Sequence, residues 1–325
     1  LAAVSRLLPL PARTTVDGHL KGRIKVSGRL SDPEFSGDVS LTGGGLTYPT
    51  MPPIENLRLQ GRLAGKSLLI QSFQARMVGA GVSGRGRLRL LPAPQLEMDL
   101  ATKGFPLEGL LAEFGQAGWG GRADLSAHLA AGPDRWGAQA SVAWREATWR
   151  QQVFPDGSAR ITCTSSPGLL HVEMGGTIGA GRFQADGQRK DGLWQGSAYL
   201  DRVAVAPIAP FLPPGYRDLA GEATANLAWR GAPGEPSVRF AGRVTHPRLA
   251  GRTLDEFRGS LLWHGTQVDV EAGQIKLGEA SASLQGRLDW RRRDLDLNVA
   301  LHRLPLALLH PQAFGRAEEI GRAHV

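Results

Sequence analysis

Apolar and polar side chains alternate along most of this chain. Leu57, Leu59 and Leu63 are interleaved with Arg58, Gln60 and Arg62, and Ala123, Leu125, Ala127 and Leu129 with Asp124, Ser126 and His128. The same rhythm runs through Ala223, Ala225, Leu227 and Trp229. It is clearest where Leu295, Leu297, Val299 and Leu301 alternate with Asp294, Asp296, Asn298 and Ala300. Val268 and Val270, then Ala280, Ala282, Leu284, Leu288 and Trp290, extend the pattern. A period of two puts successive side chains on opposite faces of a strand, one dry and one wet. Helical spacing is rare. Only Pro106–Phe114 and Pro305–Phe314 read as one or two helical turns opening on proline, expected as plugs or caps at a sheet edge or groove.

Turn signals separate the alternating runs: Asp17-Gly18, Gly43 to Gly45, Asp156-Gly157, Asp191-Gly192 and Pro214-Gly215. Short strands with glycine-rich turns predict an antiparallel meander, here of roughly 25 strands. A sheet that long must curl or pack, because a flat apolar face aggregates. The expected fold is therefore all-β: an elongated, curved antiparallel sheet with a few short helices.

The chain also repeats itself. Gly22, Gly121 and Gly221 each open a related strand, at spacings of 99 and 100 residues, and Gly86-Arg87-Leu88 recurs as Gly286-Arg287-Leu288. A proline punctuation returns at Pro9, Pro106, Pro207 and Pro305. These intervals predict a tail of one repeat over residues 1–16 and three fuller repeats over 17–116, 117–216 and 217–314. A period this long exceeds that of the common solenoids, so each repeat must hold several strands and contact chiefly its neighbours. Residues 315–325 read as a truncated end, and the last six, Ile320 to Val325, resemble one frame of a sequencing adapter. The chain begins at Leu1 without a signal-peptide pattern and has no run of about 18 apolar residues. It is expected to be an internal piece of a longer protein whose anchor and export signal lie elsewhere.

The phrase Ser31-Asp32-Pro33-Glu34-Phe35-Ser36-Gly37 resembles the D-P-x-x-x-G step of the AsmA/TamB repeats. Gly234-Glu235-Pro236-Ser237-Val238-Arg239-Phe240-Ala241-Gly242 has the same form, and Ile54–Leu63 and Leu254–Leu262 resemble the strands that follow it. The middle repeat departs, with Asp134-Arg135-Trp136-Gly137 in place of the step. The resemblance implies a curved β-groove, or β-taco, in a periplasmic protein anchored in the inner membrane. Its expected occupants are phospholipid acyl chains in transit to the outer membrane. The residues expected to line the groove are Leu57, Leu59, Leu63, Val268, Val270, Leu284, Leu288, Leu295, Leu297 and Val299. An alternative role in that family is a scaffold for outer-membrane protein assembly with an Omp85-type partner; a β-helical adhesin passenger is a further alternative.

Composition narrows the chemistry. Cys163 is the only cysteine, which excludes an internal disulfide framework and a cysteine zinc site. The net charge is +8, but basic residues are mostly scattered singly among acids, as expected of solvated strand faces and turns, with contact with lipid head groups as the alternative, rather than of a nucleic-acid site. Gly79-Ala80-Gly81-Val82-Ser83-Gly84 matches G-x-G-x-x-G, yet the residues after it alternate as a strand where a dinucleotide site needs a helix. No HxH or HxxxH pair and no G-x-S-x-G elbow occurs. Trp229, Trp263 and Trp290 lie in phase with apolar strand positions, which suits groove lining better than base stacking. The reading is a non-enzymatic chain with no cofactor and no metal.

Overall fold

The computed structural model describes residues 15–29, 31–48, 51–91, 93–109, 118–149, 152–206, 220–232, 235–249, 252–289, 291–292, 294–305 and 316–324. Pro9, Pro207, Pro214-Gly215, Trp290 and most of the two helical segments lie outside them. Of those segments Pro106 and Pro305 are described as the last residues of strands, where a helical turn was expected to open, and Leu107–Gly109 is described and helical. The chain divides into two units, Leu1–Pro167 and Gly168–Val325.

The first unit is an antiparallel meander of β1 (Thr15–Arg29), β2 (Asp32–Tyr48), β3 (Met51–Gly65), β4 (Ser67–Met77), β5 (Ala80–Arg89), β6 (Gln95–Pro106), β7 (Trp119–Ala131) and β8 (Trp136–Trp149). The two-residue β9 (Gln152–Val153) pairs with the end of β8, and β10 (Gly157–Ser166) with its body. The second unit continues the plan with β11 (Leu169–Ile178), β12 (Gly181–Lys190), β13 (Leu193–Ala204), β14 (Ala220–Ala232) and β15 (Glu235–Leu249). Here β16 (Arg252–Thr253) takes the end of β15 and β17 (Glu256–His264) its body. Then come β18 (Gln267–Leu277), β19 (Ala280–Asp289), β20 (Asp294–Pro305) and β21 (Arg316–His324). The all-β, antiparallel expectation holds, and the sheet does not close into a barrel.

The tight connections show why these sequences pair as neighbours. Asp191 and Gly192, with φ of 51° and 81°, join β12 to β13, and Val78 and Gly79, with φ of 52° and 77°, join β4 to β5. Two successive left-handed residues match the twist of the strands they connect. Two expected turns are something else. Asp17-Gly18 lies inside β1, where the register against β2 shifts at Gly18, and Gly43 to Gly45 lie inside β2 at a similar shift against β3. Both are bulges, so the strands are longer than expected and the described residues hold 21 of them rather than about 25.

The bulges return at regular places. Gly18, Gly121 and Gly221 have φ of 120°, 103° and 118°, at spacings of 103 and 100 residues, at register shifts in β1, β7 and β14. Gly104, Arg202 and Arg303 have φ of 63°, 50° and 52°, at shifts in β6, β13 and β20. A left-handed arginine is costly for an L residue. Its recurrence at this place identifies the kink as part of the design of the sheet.

Candidate functional site

Because side chains alternate and neighbouring strands pair in register, apolar residues line up across strands into rows. In the first unit one row runs Leu20, Leu41, Leu59, Phe73, Gly84, Leu100, Ala127, Ala140 and Ile161, one residue from each of nine paired strands. The neighbouring row includes Val39, Ile70, Met98, Leu129 and Cys163, and the next includes Ile24, Leu63, Leu68, Leu88 and Leu96. The second unit repeats the arrangement. One of its rows runs Met174, Ala185, Ala198, Leu227, Phe240, Leu261, Val270, Gly286 and Leu297, and another joins Trp229, Val238, Trp263, Val268, Leu288 and Leu295.

Every residue expected to line a groove falls on these faces. Leu57, Leu59 and Leu63 point with the apolar rows, Leu63 buried and the other two half-buried, while Arg58, Gln60 and Arg62 are exposed on the opposite face. Val268, Val270, Leu284, Leu288, Leu295, Leu297 and Val299 are all half-buried in the second unit. The two sets belong to separate units, so each lines its own face.

The burial has an unusual distribution for so apolar a surface. Among the described residues no large side chain is below 2% exposure, and no second layer of elements is packed on either face. Ile70, Leu63 and Leu41 fall to 5–8% exposure, whereas Leu20, Ile24 and Val26 on β1 stand at 46–61%. Within the first unit the apolar face is thus well shielded at Leu41, Leu63 and Ile70, on β2 to β4.

Glycines set how closely that face folds. A Cβ placed on Gly196 would stand 2.5 Å from Cζ2 and 2.8 Å from Cε2 of Trp229, so the indole lies across the glycine of the neighbouring strand. Leu68 covers Gly61 and Leu100 covers Gly84 in the same way, at 2.8 and 2.7 Å, and Phe257 leans over Gly259 of its own strand at 2.9 Å. Large side chains fill the space that small neighbours leave, as in a close-packed core.

The other face carries charge in cross-strand pairs. Arg62 Nε donates to Asp38 at 3.1 Å, Arg145 Nη2 to Asp124 at 2.6 Å, Arg239 Nη2 to Glu271 at 2.6 Å and Arg287 Nε to Asp269 at 2.9 Å. His128 joins Asp99 and His264 joins Asp269, both at 2.9 Å. Burial raises the pKa of Asp269, but hydrogen bonds from Arg287, His264 and Gln267 outweigh it and hold the carboxyl at about 2. The Gly104 N–H, above all, holds Asp124 below the ordinary carboxylate value. An open hollow of about 660 Å³ on this face, lined by Arg85, Asp99, His128 and Arg160, is a gap between exposed polar side chains.

Residues singled out for possible chemistry take ordinary places. Gly79 sits in the β4–β5 turn and Ala80 to Gly84 begin β5, so a strand follows where a nucleotide site needs a helix. Cys163 is half-buried among apolar neighbours, opposite Ala138, and burial pushes its thiol pKa up, away from nucleophilic character. One cluster escaped the sequence reading. The β11–β12 register brings Asp186 beside His171, with 2.6 Å between His171 Nε2 and the Asp186 carboxylate, and Glu173 lies within 3.9 Å of the same nitrogen. The signal was the alternate placing of His171 and Glu173 on the polar face; their partner comes from another strand, which spacing does not reveal. The two carboxylates are exposed and the imidazole half-buried, and the group forms an ion-pair cluster like its neighbours. Comparison with protein-family models, curated proteins and solved structures finds no match to the chain.

Proposed function

We propose that each unit shields lipid acyl chains on its apolar face, and that the chain is a non-enzymatic segment of a periplasmic, inner-membrane-anchored protein supporting phospholipid movement to the outer membrane. The observation that carries this reading is the set of apolar rows, nine strands long in each unit, over which the described residues lay no second layer. A soluble protein rarely leaves so large an apolar patch without an occupant.

An acyl chain suits the surface better than a rigid ligand. Moving about 16 carbons from lipid into water costs on the order of 12 kcal/mol at ~0.8 kcal/mol per methylene, and a row of aliphatic side chains removes most of that cost without any chemistry. The rows offer no fixed constellation of polar groups, which a small polar substrate would require. The resemblance to AsmA/TamB repeats points the same way.

Lipid extracted from the purified chain and identified by mass spectrometry tests the proposal. Phospholipid should accompany the wild-type chain, and Leu284→Asp with Leu297→Asp should lower its amount at least severalfold while the strand signal in circular dichroism persists. Equal lipid content in the folded double variant would contradict the reading.

A further inference from the structure

The ends of β12, β14, β17 and β19 and the starts of β11, β13, β15, β18 and β20 share one rim of the second unit. The apolar face finishes there in indoles. Trp229 and Trp263 belong to the last long apolar row, and Trp194 lies one row further out, opposite Gly231. Register then sets Leu169 and Leu193 on either side of Lys190, at the turns themselves. Leu169, Leu193 and Trp263 are 37–58% exposed. Large apolar side chains gathered at the margin of an apolar face, rather than scattered singly, mark a contact surface.

The same rim is basic. Arg189, Lys190, Arg230 and Arg291 are exposed, and none of them forms an ion pair among the described residues; Arg292 lies 3.8 Å from Asp289. Asp191, Asp289 and Asp294 are the acids set against these cations in the described part of the rim. Of these, Asp289 is engaged within its own turn, accepting the N–H groups of Arg291 and Arg292 at 3.0 and 3.1 Å. Arg189 follows Ala185 and Gly187 on the apolar face and stands opposite Trp194, a place where packing has no use for a cation. Indoles settle where acyl chains give way to head groups, and Lys and Arg beside them meet lipid phosphates. We infer that this rim of the second unit docks on the surface of an anionic phospholipid bilayer, with Leu193 and Trp263 at head-group level and Arg189, Lys190 and Arg230 on lipid phosphates. The inference rests on the acyl-shielding reading for its purpose, since acyl chains leaving such a bilayer would pass the indoles onto the apolar face. Docking itself needs only the rim.

Flotation of the full chain with vesicles provides the test. Vesicles of equal parts phosphatidylcholine and phosphatidylglycerol should carry the chain, and pure phosphatidylcholine vesicles should carry far less. Lys190→Glu with Arg230→Glu should weaken binding at least about tenfold, as expected from the attraction of each cation to an anionic surface. Arg58→Glu with Arg89→Glu, an equal change of charge on the polar face of the first unit, should weaken it far less. An environment-sensitive fluorophore on Leu193→Cys, in a Cys163→Ala background, should shift to the blue on the mixed vesicles. One on Arg182→Cys, at the other end of β12, should not. Circular dichroism checks that each variant keeps its strand signal. Equal binding to the two kinds of vesicle, equal losses from the two charge reversals, or equal shifts at positions 193 and 182 would overturn the inference. Phospholipid co-purifying with a chain that binds no vesicle would overturn the rim assignment alone. Vesicle binding without co-purified lipid would overturn the acyl reading alone.

Discussion

Asp124 accepts the backbone N–H of Gly104 at 2.8 Å, which ties β6 to β7. The same stitch recurs in the second unit, where the Arg202 N–H donates to Thr224 Oγ1 at 3.3 Å. In both cases the donor is the left-handed bulge residue, whose amide has left the ladder and needs an acceptor. Asp124→Ala should therefore lower the unfolding midpoint of the first unit more than Asp124→Asn, which retains a carbonyl acceptor. Thermal unfolding of the two variants checks this; equal losses would mean that the carboxylate acts only through Arg145.

Glycine placement on the apolar face should be intolerant of even one methyl group where a large side chain lies over it. Gly196→Ala drives a Cβ into the Asp186 carbonyl oxygen and the Trp229 indole and should cost about 1–3 kcal/mol, the usual range for overpacking. Gly81→Ala meets nothing within 4 Å and has ordinary backbone angles, so it should be neutral or stabilise by up to ~1 kcal/mol. Urea unfolding curves of the two variants give the comparison, and similar midpoints would contradict the packing described.

Thr102 is 6% exposed and its hydroxyl has no hydrogen-bond partner among the described residues. Leu200 and Leu301 occupy the corresponding places, two residues before the left-handed Arg202 and Arg303. Thr102→Val keeps the shape and removes an orphaned polar group, and should stabilise the chain by about 1 kcal/mol in denaturant unfolding. A loss of stability would show that the hydroxyl is satisfied in solution.

Acid should weaken the second unit through Asp269. Its pKa lies at about 2 in the folded chain, below the usual unfolded value near 3.9. A depressed carboxylate pKa contributes stability that is fully present above the unfolded value and is lost as pH falls from about 4 towards 2. Asp269→Asn should accordingly be less stable than wild type at pH 7 and approach it near pH 2. A difference independent of pH would assign the effect to something other than charge.

The two faces were legible in the sequence because a period of two fixes which side chains share a face; Leu57, Leu59 and Leu63 needed no structure to be grouped. The rows were not legible, because they depend on register. Leu59 meets Leu41 and Phe73 only because bulges in β2 and β4 shift the pairing there. The bulges themselves were misread, since Asp17-Gly18 and Gly43 to Gly45 supply the positive φ that both a turn and a bulge require.

Face-resolved photo-crosslinking to phospholipid tests the central claim most directly. A photoreactive residue at Leu284, Leu297 or Val299 should capture phospholipid, and one at Asn298 or Asp296, on the polar side of β20, should not. Equal labelling from the two faces, or labelling confined to the polar one, would contradict a lipid-shielding role.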